Sequence, residues 1–157
     1  MAIVACGTER AEDVHRLTQA AFCEYTWLDP PSGALSESLE RVRDDLAAGG
    51  GAIAELQGEP VGCLRWEPGV KGSLHVRRVA VAPHARRRGI GRELMLWAEE
   101  EARRRGCDAV TVGVRIVLPG NLALYRGLGY EIVGEHRHDG CAEVTWLGLR
   151  KPVVVSS

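Results

Sequence analysis

Residues 79–94, Val-Ala-Val-Ala-Pro-His-Ala-Arg-Arg-Arg-Gly-Ile-Gly-Arg-Glu-Leu, constrain the fold more than any other stretch of the chain. The segment opens as a strand, and Pro83, which has no N–H to give to a sheet ladder, ends it. Beyond it Ile90, Leu94, Trp97, Ala98 and Ala102 recur at helical spacing. Between strand and helix lies Arg86-Arg87-Arg88-Gly89-Ile90-Gly91. Two glycines around one residue at a helix start leave the backbone unshielded, so consecutive N–H groups and the positive end of the helix dipole can meet an anion closely. Three arginines add full charges. Several donors in a short arc match a diphosphate better than a carboxylate.

The 157 residues, 45% of them hydrophobic, suffice for one globular domain with a sizeable core and leave no room for a second. The domain is expected over residues 1–152, with a tail over 153–157. The 20 Lys and Arg are offset by 21 Asp and Glu, so the broad positive field of a nucleic-acid binder is missing and no nucleic-acid partner is expected. Cys6, Cys23, Cys63, Cys107 and Cys141 are odd in number, widely spaced and contain no C-x-x-C pair, which reads as reduced thiols and no metal site. The N-terminal Met1-Ala2-Ile3-Val4-Ala5 has no basic leader, and no apolar run approaches membrane-spanning length. A cytoplasmic protein without membrane contact is the expectation.

Along the chain, residues 3–6 read as an edge strand, and a helix runs from Thr8 or Glu9 through Phe22. Asp29-Pro30-Pro31-Ser32-Gly33 interrupts it, and Ser36 beside Glu37 starts a second helix that ends at Gly49-Gly50-Gly51. Residues 52–56 and 61–66 flank Gln57-Gly58-Glu59-Pro60 as a hairpin with glycine at the turn, and residues 74–81 make a further strand. The helix over 89–105 carries Glu99/Arg103, Glu100/Arg104 and Glu101/Arg105 as surface pairs, and Gly106 closes it. Residues 108–116 form a central buried strand, 122–128 a short helix, and 130–135 with 143–149 a closing antiparallel pair.

Arg86-x-x-Gly89-x-Gly91, after the strand Arg78-Val79-Ala80-Val81, resembles the Q/R-x-x-G-x-G/A motif of the GNAT superfamily of acyl-CoA-dependent N-acyltransferases. Asn121-Leu122-Ala123-Leu124-Tyr125-Arg126-Gly127-Leu128-Gly129-Tyr130 is similar to its N-x-x-A/x-x-x-Y-x-x-x-G-F segment, with Tyr130 where Phe is usual. The two in this order are specific. The resemblance spans residues 3–150 and implies an α/β (α+β) GNAT fold. Its sheet is mixed, mostly antiparallel, of about seven strands flanked by four helices, and splayed between strands 4 and 5.

The activity implied is direct transfer of an acetyl group from acetyl-CoA, as cosubstrate, to a primary amine of a small molecule, protein or peptide. At pH 7 an amine of pKa ~10 is neutral in only ~10⁻³ of molecules, a deficit of ~4 kcal/mol. A proton must therefore leave, an oxyanion must be stabilised and a thiolate protonated. The resemblance assigns pantetheine to the backbone of Val79, Ala80 and Val81, with an amide there facing the thioester carbonyl. It assigns the pyrophosphate to Arg86, Arg87, Arg88, Gly89, Ile90, Gly91 and Arg92, chiefly through backbone N–H groups. Asn121 bonds coenzyme A or caps the short helix. Tyr125 also touches coenzyme A and protonates its thiolate, since a phenol stays protonated at neutral pH; the alternative is a ring packed on the adenine side.

For the base, His75 lies near the position where many members carry Glu, and its pKa is near neutrality. Glu67, Glu55 and a water chain are alternatives. Glu24, Tyr25, Trp27 and Asp29 fall in the family's variable acceptor region, or are loop charges and aromatics that lid the core. Trp66 and Trp146 are further acceptor-pocket candidates. A non-catalytic acyl-CoA-binding or sensing domain is the alternative function, against which Tyr125 weighs. Val153-Val154-Val155 offers an edge for pairing with a second copy in a homodimer.

Overall fold

Turn chemistry and continuous apolar runs set the N-terminal strands of the computed structural model, which describes residues 1–154. β1 (Ala2–Cys6) pairs antiparallel with β2 (Gly50–Leu56), and β2 with β3 (Glu59–Pro68). Gln57 and Gly58, at φ 52° and 80°, make the two-residue loop between β2 and β3, and positive φ at both positions gives a turn that matches the right-handed twist of the strands. α1 (Ala11–Phe22) buries Val14, Leu17 and Ala21. Its expected start at Thr8 is instead a short 3-10 turn, Thr8–Arg10, with no side chain capping it. α2 (Leu39–Ala48) begins later than Ser36, because the Ser38 hydroxyl is the one that accepts the Arg41 N–H, at 3.1 Å. Gly33–Ser36 forms a separate turn capped by Ser32.

β4 (Leu74–Val81) leads into α3 (Ile90–Arg104), β5 (Ala109–Arg115), α4 (Pro119–Gly127), β6 (Glu131–His136) and β7 (Trp146–Pro152). The seven strands form one mixed sheet in the order β1-β2-β3-β4-β5-β7-β6. β4 and β5 are its parallel pair: Leu74–Val76 faces Val110–Val112, while β4 itself runs on to Val81. The chain divides into two compact units, Met1–Glu67 with Arg77–Trp97, and Pro68–Val76 with the chain from Ala98 onward. The division crosses β4 where its ladder with β5 stops.

In the first unit Val42, Leu46, Ile53, Leu64 and Leu94 form the core. The second is built on Leu74, Val110, Val112, Tyr130 and Leu149, with a charged group at its centre. Glu99 does not pair with Arg103 on the helix surface. It is 2% exposed and accepts from Lys151 Nζ at 2.8 Å and from the Tyr130 hydroxyl at 3.1 Å. A buried carboxylate needs a cation and further donors, and β7 and the residue just before β6 bring both. The surface pairs are Arg103–Glu100, Arg104–Glu101 and Arg105–Glu101. Gly106, at φ 75°, closes α3 as expected, with the Cys107 N–H donating to the Ala102 carbonyl at 2.9 Å.

α4 starts at Pro119 rather than at Leu122, with Leu118 as its N-cap and no side-chain cap bond. Asn121 therefore lies inside the first turn and does not cap the helix. At the C-terminus Val153 is buried, and its N–H donates to the Asp108 carbonyl at 2.9 Å. Val155, Ser156 and Ser157, part of the expected tail and of the expected pairing edge, lie outside the described residues. Among the described residues no helix is long and apolar enough to cross a membrane.

Candidate functional site

β4 is interrupted before it reaches the arginine–glycine turn. Arg78, inside the strand, has φ 53°, a left-handed conformation that swings the neighbouring peptide planes out of a regular ladder. Val79 and Val81 follow half-buried, with Ala80 buried between them. The Ala82 N–H then bonds the Val61 carbonyl at 2.8 Å, and Pro83–Ala85 turns the chain away from the sheet. Arg86 is committed to α1 and the residues after it: its guanidinium bonds the Glu24 carboxylate and donates to the Ala21 carbonyl at 3.0 Å. Arg87, Arg88 and Arg92 are exposed.

The Gly89 carbonyl accepts the Glu93 N–H at 3.0 Å, so the N–H groups of Ile90, Gly91 and Arg92 belong to the first helical turn and have no acceptor within the helix. Buried Ile90 fixes the helix start. Gly89 has φ 75°, and a Cβ there would meet nothing within 4 Å, so backbone conformation rather than crowding calls for glycine. N–H groups that the helix itself leaves without acceptors, the helix dipole and three exposed arginines thus share one turn, which suits a multiply charged anion.

In the second unit Tyr125, in α4, is 6% exposed. Its ring meets Tyr130 edge-on, with centroids 6.0 Å apart at 71°. Burial pushes the phenol pKa up, which keeps it protonated. Asn121, one turn earlier on the same helix, is exposed. His75, half-buried in β4, has Nδ1 2.8 Å from the hydroxyl of Thr111, its partner in the parallel ladder. Of the other candidate bases, Glu67 pairs with Arg77 at 3.5 Å, and Glu55 sits on β2, two strands from β4 in the sheet order. Of the acceptor-side residues, Glu24 is held by Arg86, and Tyr25 stands edge-on to Phe22 and Trp27. Trp27 is exposed; Trp66 is buried in β3, and Trp146 stacks on His136 at 4.0 Å.

The chain matches the model of the Acetyltransferase (GNAT) family over residues 14–130, a span that includes the turn and the Asn121–Tyr130 segment. The chain belongs to the GNAT acetyltransferase family. Solved GNAT structures share its fold. The ribosomal-protein-S18-alanine N-acetyltransferase from Escherichia coli is 18% identical with a TM-score of 0.80, over 99% of this chain and 96% of that one. An aminoglycoside 6'-acetyltransferase type Ii is 19% identical with a TM-score of 0.80 over the whole of both chains. An aminoglycoside 6'-N-acetyltransferase complexed with coenzyme A is 17% identical with a TM-score of 0.77, over 100% and 99%. No curated protein matches the chain.

This GNAT chain also contains a charged group that sequence reasoning missed. Arg65, 2% exposed in β3, donates to both Glu37 carboxylate oxygens at 3.0 and 2.8 Å, to Asp45 at 3.0 Å and to Thr18 at 3.4 Å. Glu37 also accepts from Arg78 Nε at 3.3 Å. The available signal was an arginine inside the otherwise apolar run Val61-Gly62-Cys63-Leu64-Arg65-Trp66.

Proposed function

We propose that this GNAT chain, acting as a single domain over residues 1–152, moves the acetyl group of acetyl-CoA directly onto a primary amine. The observation that carries this function is the turn from Arg86 to Arg92. First-turn N–H groups without an acceptor in the helix, a left-handed glycine and exposed arginines together fit the pyrophosphate of coenzyme A. That a structure of the same fold was solved with coenzyme A supports the choice of anion.

In the reaction the amine nitrogen attacks the thioester carbonyl carbon. The carbonyl becomes an oxyanion facing a backbone N–H of Val79–Val81, then re-forms as the C–S bond breaks. The sulfur leaves as thiolate and takes the phenolic proton of Tyr125. Desolvation raises the phenol pKa, so Tyr125 keeps its proton until the sulfur departs, and the same desolvation makes a buried thiolate a stronger base than one in water. The amine's own proton leaves through His75, or through water beside Glu67 or Glu55. Asn121, one turn before Tyr125, contributes a contact to coenzyme A. Proteins of the same fold are named for aminoglycosides and for a ribosomal-protein alanine, which supports small-molecule and protein amines as the acceptor classes.

Thermal melting with acetyl-CoA, coenzyme A and ATP tests the coenzyme site. At ~100 times its Kd a ligand adds ~2.7 kcal/mol to the folded state. Acetyl-CoA and coenzyme A are expected to raise the melting temperature and ATP to leave it unchanged, after which thiol release identifies the amine. No shift with any of the three overturns the assignment.

A further inference from the structure

Among the described residues, Gln57, Lys71, Arg78 and Arg87 are the non-glycine residues at positive φ. Three of them lie in turns, whereas Arg78 lies within a strand. An L-residue with a long side chain disfavours this conformation, so the surrounding structure must hold it there. One contact of the side chain and one gap beside it favour this arrangement. Its Nε donates to Glu37 Oε2 at 3.3 Å, and an outer nitrogen of its guanidinium lies only 2.9 Å from where a Cβ on Gly33 would stand, so glycine at 33 leaves it room.

Glu37 is itself fixed. Its side chain is 6% exposed, and the Arg65 fork grips both carboxylate oxygens from β3, while Asp45 of α2 balances the second positive charge. Burial alone would raise the Glu37 pKa, but Arg65 and Arg78 outweigh it and hold the carboxylate below its usual range, ionised at neutral pH. One carboxylate thus joins the segment between α1 and α2 to two adjacent strands of the sheet. It meets β4 at the residue immediately before Val79–Val81.

We propose that Glu37 is a positioning residue: gripped by Arg65, it holds Arg78 in its left-handed conformation and so sets the direction of the Val79–Val81 backbone that meets the thioester. This deepens the proposed acetyl transfer and rests on it. Glu37 touches neither substrate; it acts through Arg78.

The test uses the full chain with Glu37→Gln, Arg78→Ala and Arg78→Gly. Alanine removes the anchor and keeps the disfavoured conformation, whereas glycine removes the anchor and adopts that conformation freely. Turnover at saturating acetyl-CoA and amine is expected to fall about tenfold in Arg78→Ala and to recover largely in Arg78→Gly. The KM for the amine should stay near the parent value. Glu37→Gln should resemble Arg78→Ala, with amide hydrogen exchange at Val79–Val81 about tenfold faster in both. If Glu37→Gln unfolds because Arg65 is left short of a partner, the Arg78 pair decides, since it leaves Arg65, Glu37 and Asp45 intact. Equal turnover in Arg78→Ala and Arg78→Gly, or unchanged exchange at Val79–Val81, overturns the proposal. A parent chain that acetylates no amine refutes the acetyl-transfer function instead, and the exchange rates then decide the role of Glu37 by themselves.

Discussion

Tyr125→Phe is expected to lower acetyl transfer by ~10²-fold or more while coenzyme A affinity changes by less than about twofold. The substitution removes one hydroxyl and almost no volume. The ring keeps its edge-on contact with Tyr130, so no cavity opens and the melting temperature should hold. On the proposed mechanism, what disappears is the proton needed by the departing sulfur. Steady-state turnover with calorimetry of coenzyme A binding separates the two effects. Unchanged turnover would remove Tyr125 from the chemistry and leave it a packing residue of α4.

Gly89→Asp is expected to weaken acetyl-CoA binding by roughly 10²-fold, since a left-handed non-glycine residue costs ~1–2 kcal/mol and a carboxylate beside phosphate adds repulsion at a helix N-terminus. A Cβ at Gly89 meets no protein atom within 4 Å, so the substitution does not crowd the protein's own backbone or side chains at that atom. Gly89→Ala shares the backbone penalty without the charge and should fall between parent and aspartate. Gly91→Asp brings the same charge into the first turn of α3 and should also weaken binding. Calorimetry with acetyl-CoA reads each, and retained affinity in the aspartate variants would mean that the pyrophosphate binds elsewhere.

The strand–turn–helix of β4 and α3 was legible because its signals are local: Pro83 stops a strand, glycines open a helix, and apolar residues recur at one spacing. The hairpin at Gln57-Gly58 and the stop at Gly106 were legible for the same reason. Glu99 was not. A glutamate four residues before an arginine reads as a surface pair, and only the fold reveals that Lys151, 52 residues away, and Tyr130 supply the donors that let it be buried. Arg65 and Glu37 are likewise 28 residues apart, so neither announces the other. Tyr130 did carry a hint, a hydroxyl where the family usually has phenylalanine, but its acceptor lay on another element. The left-handed bend at Arg78 was illegible for a different reason: local preference argues against it, and contacts from distant residues impose it. The start of α4 was misread because Pro119 is tolerated in a first helical turn as readily as it marks a boundary.

The arginines of this chain stand in two environments, and ionic strength distinguishes them. Arg87, Arg88 and Arg92 face solvent, where dissolved ions screen charges beyond ~8 Å at physiological salt and ~3 Å at 1 M. Arg65, 2% exposed and clasped by two carboxylates, is shielded from those ions. Added salt is therefore expected to raise the KM for acetyl-CoA while leaving turnover at saturation nearly constant. Capture of the coenzyme becomes a property of the medium, and the geometry awaiting its thioester remains a property of the protein.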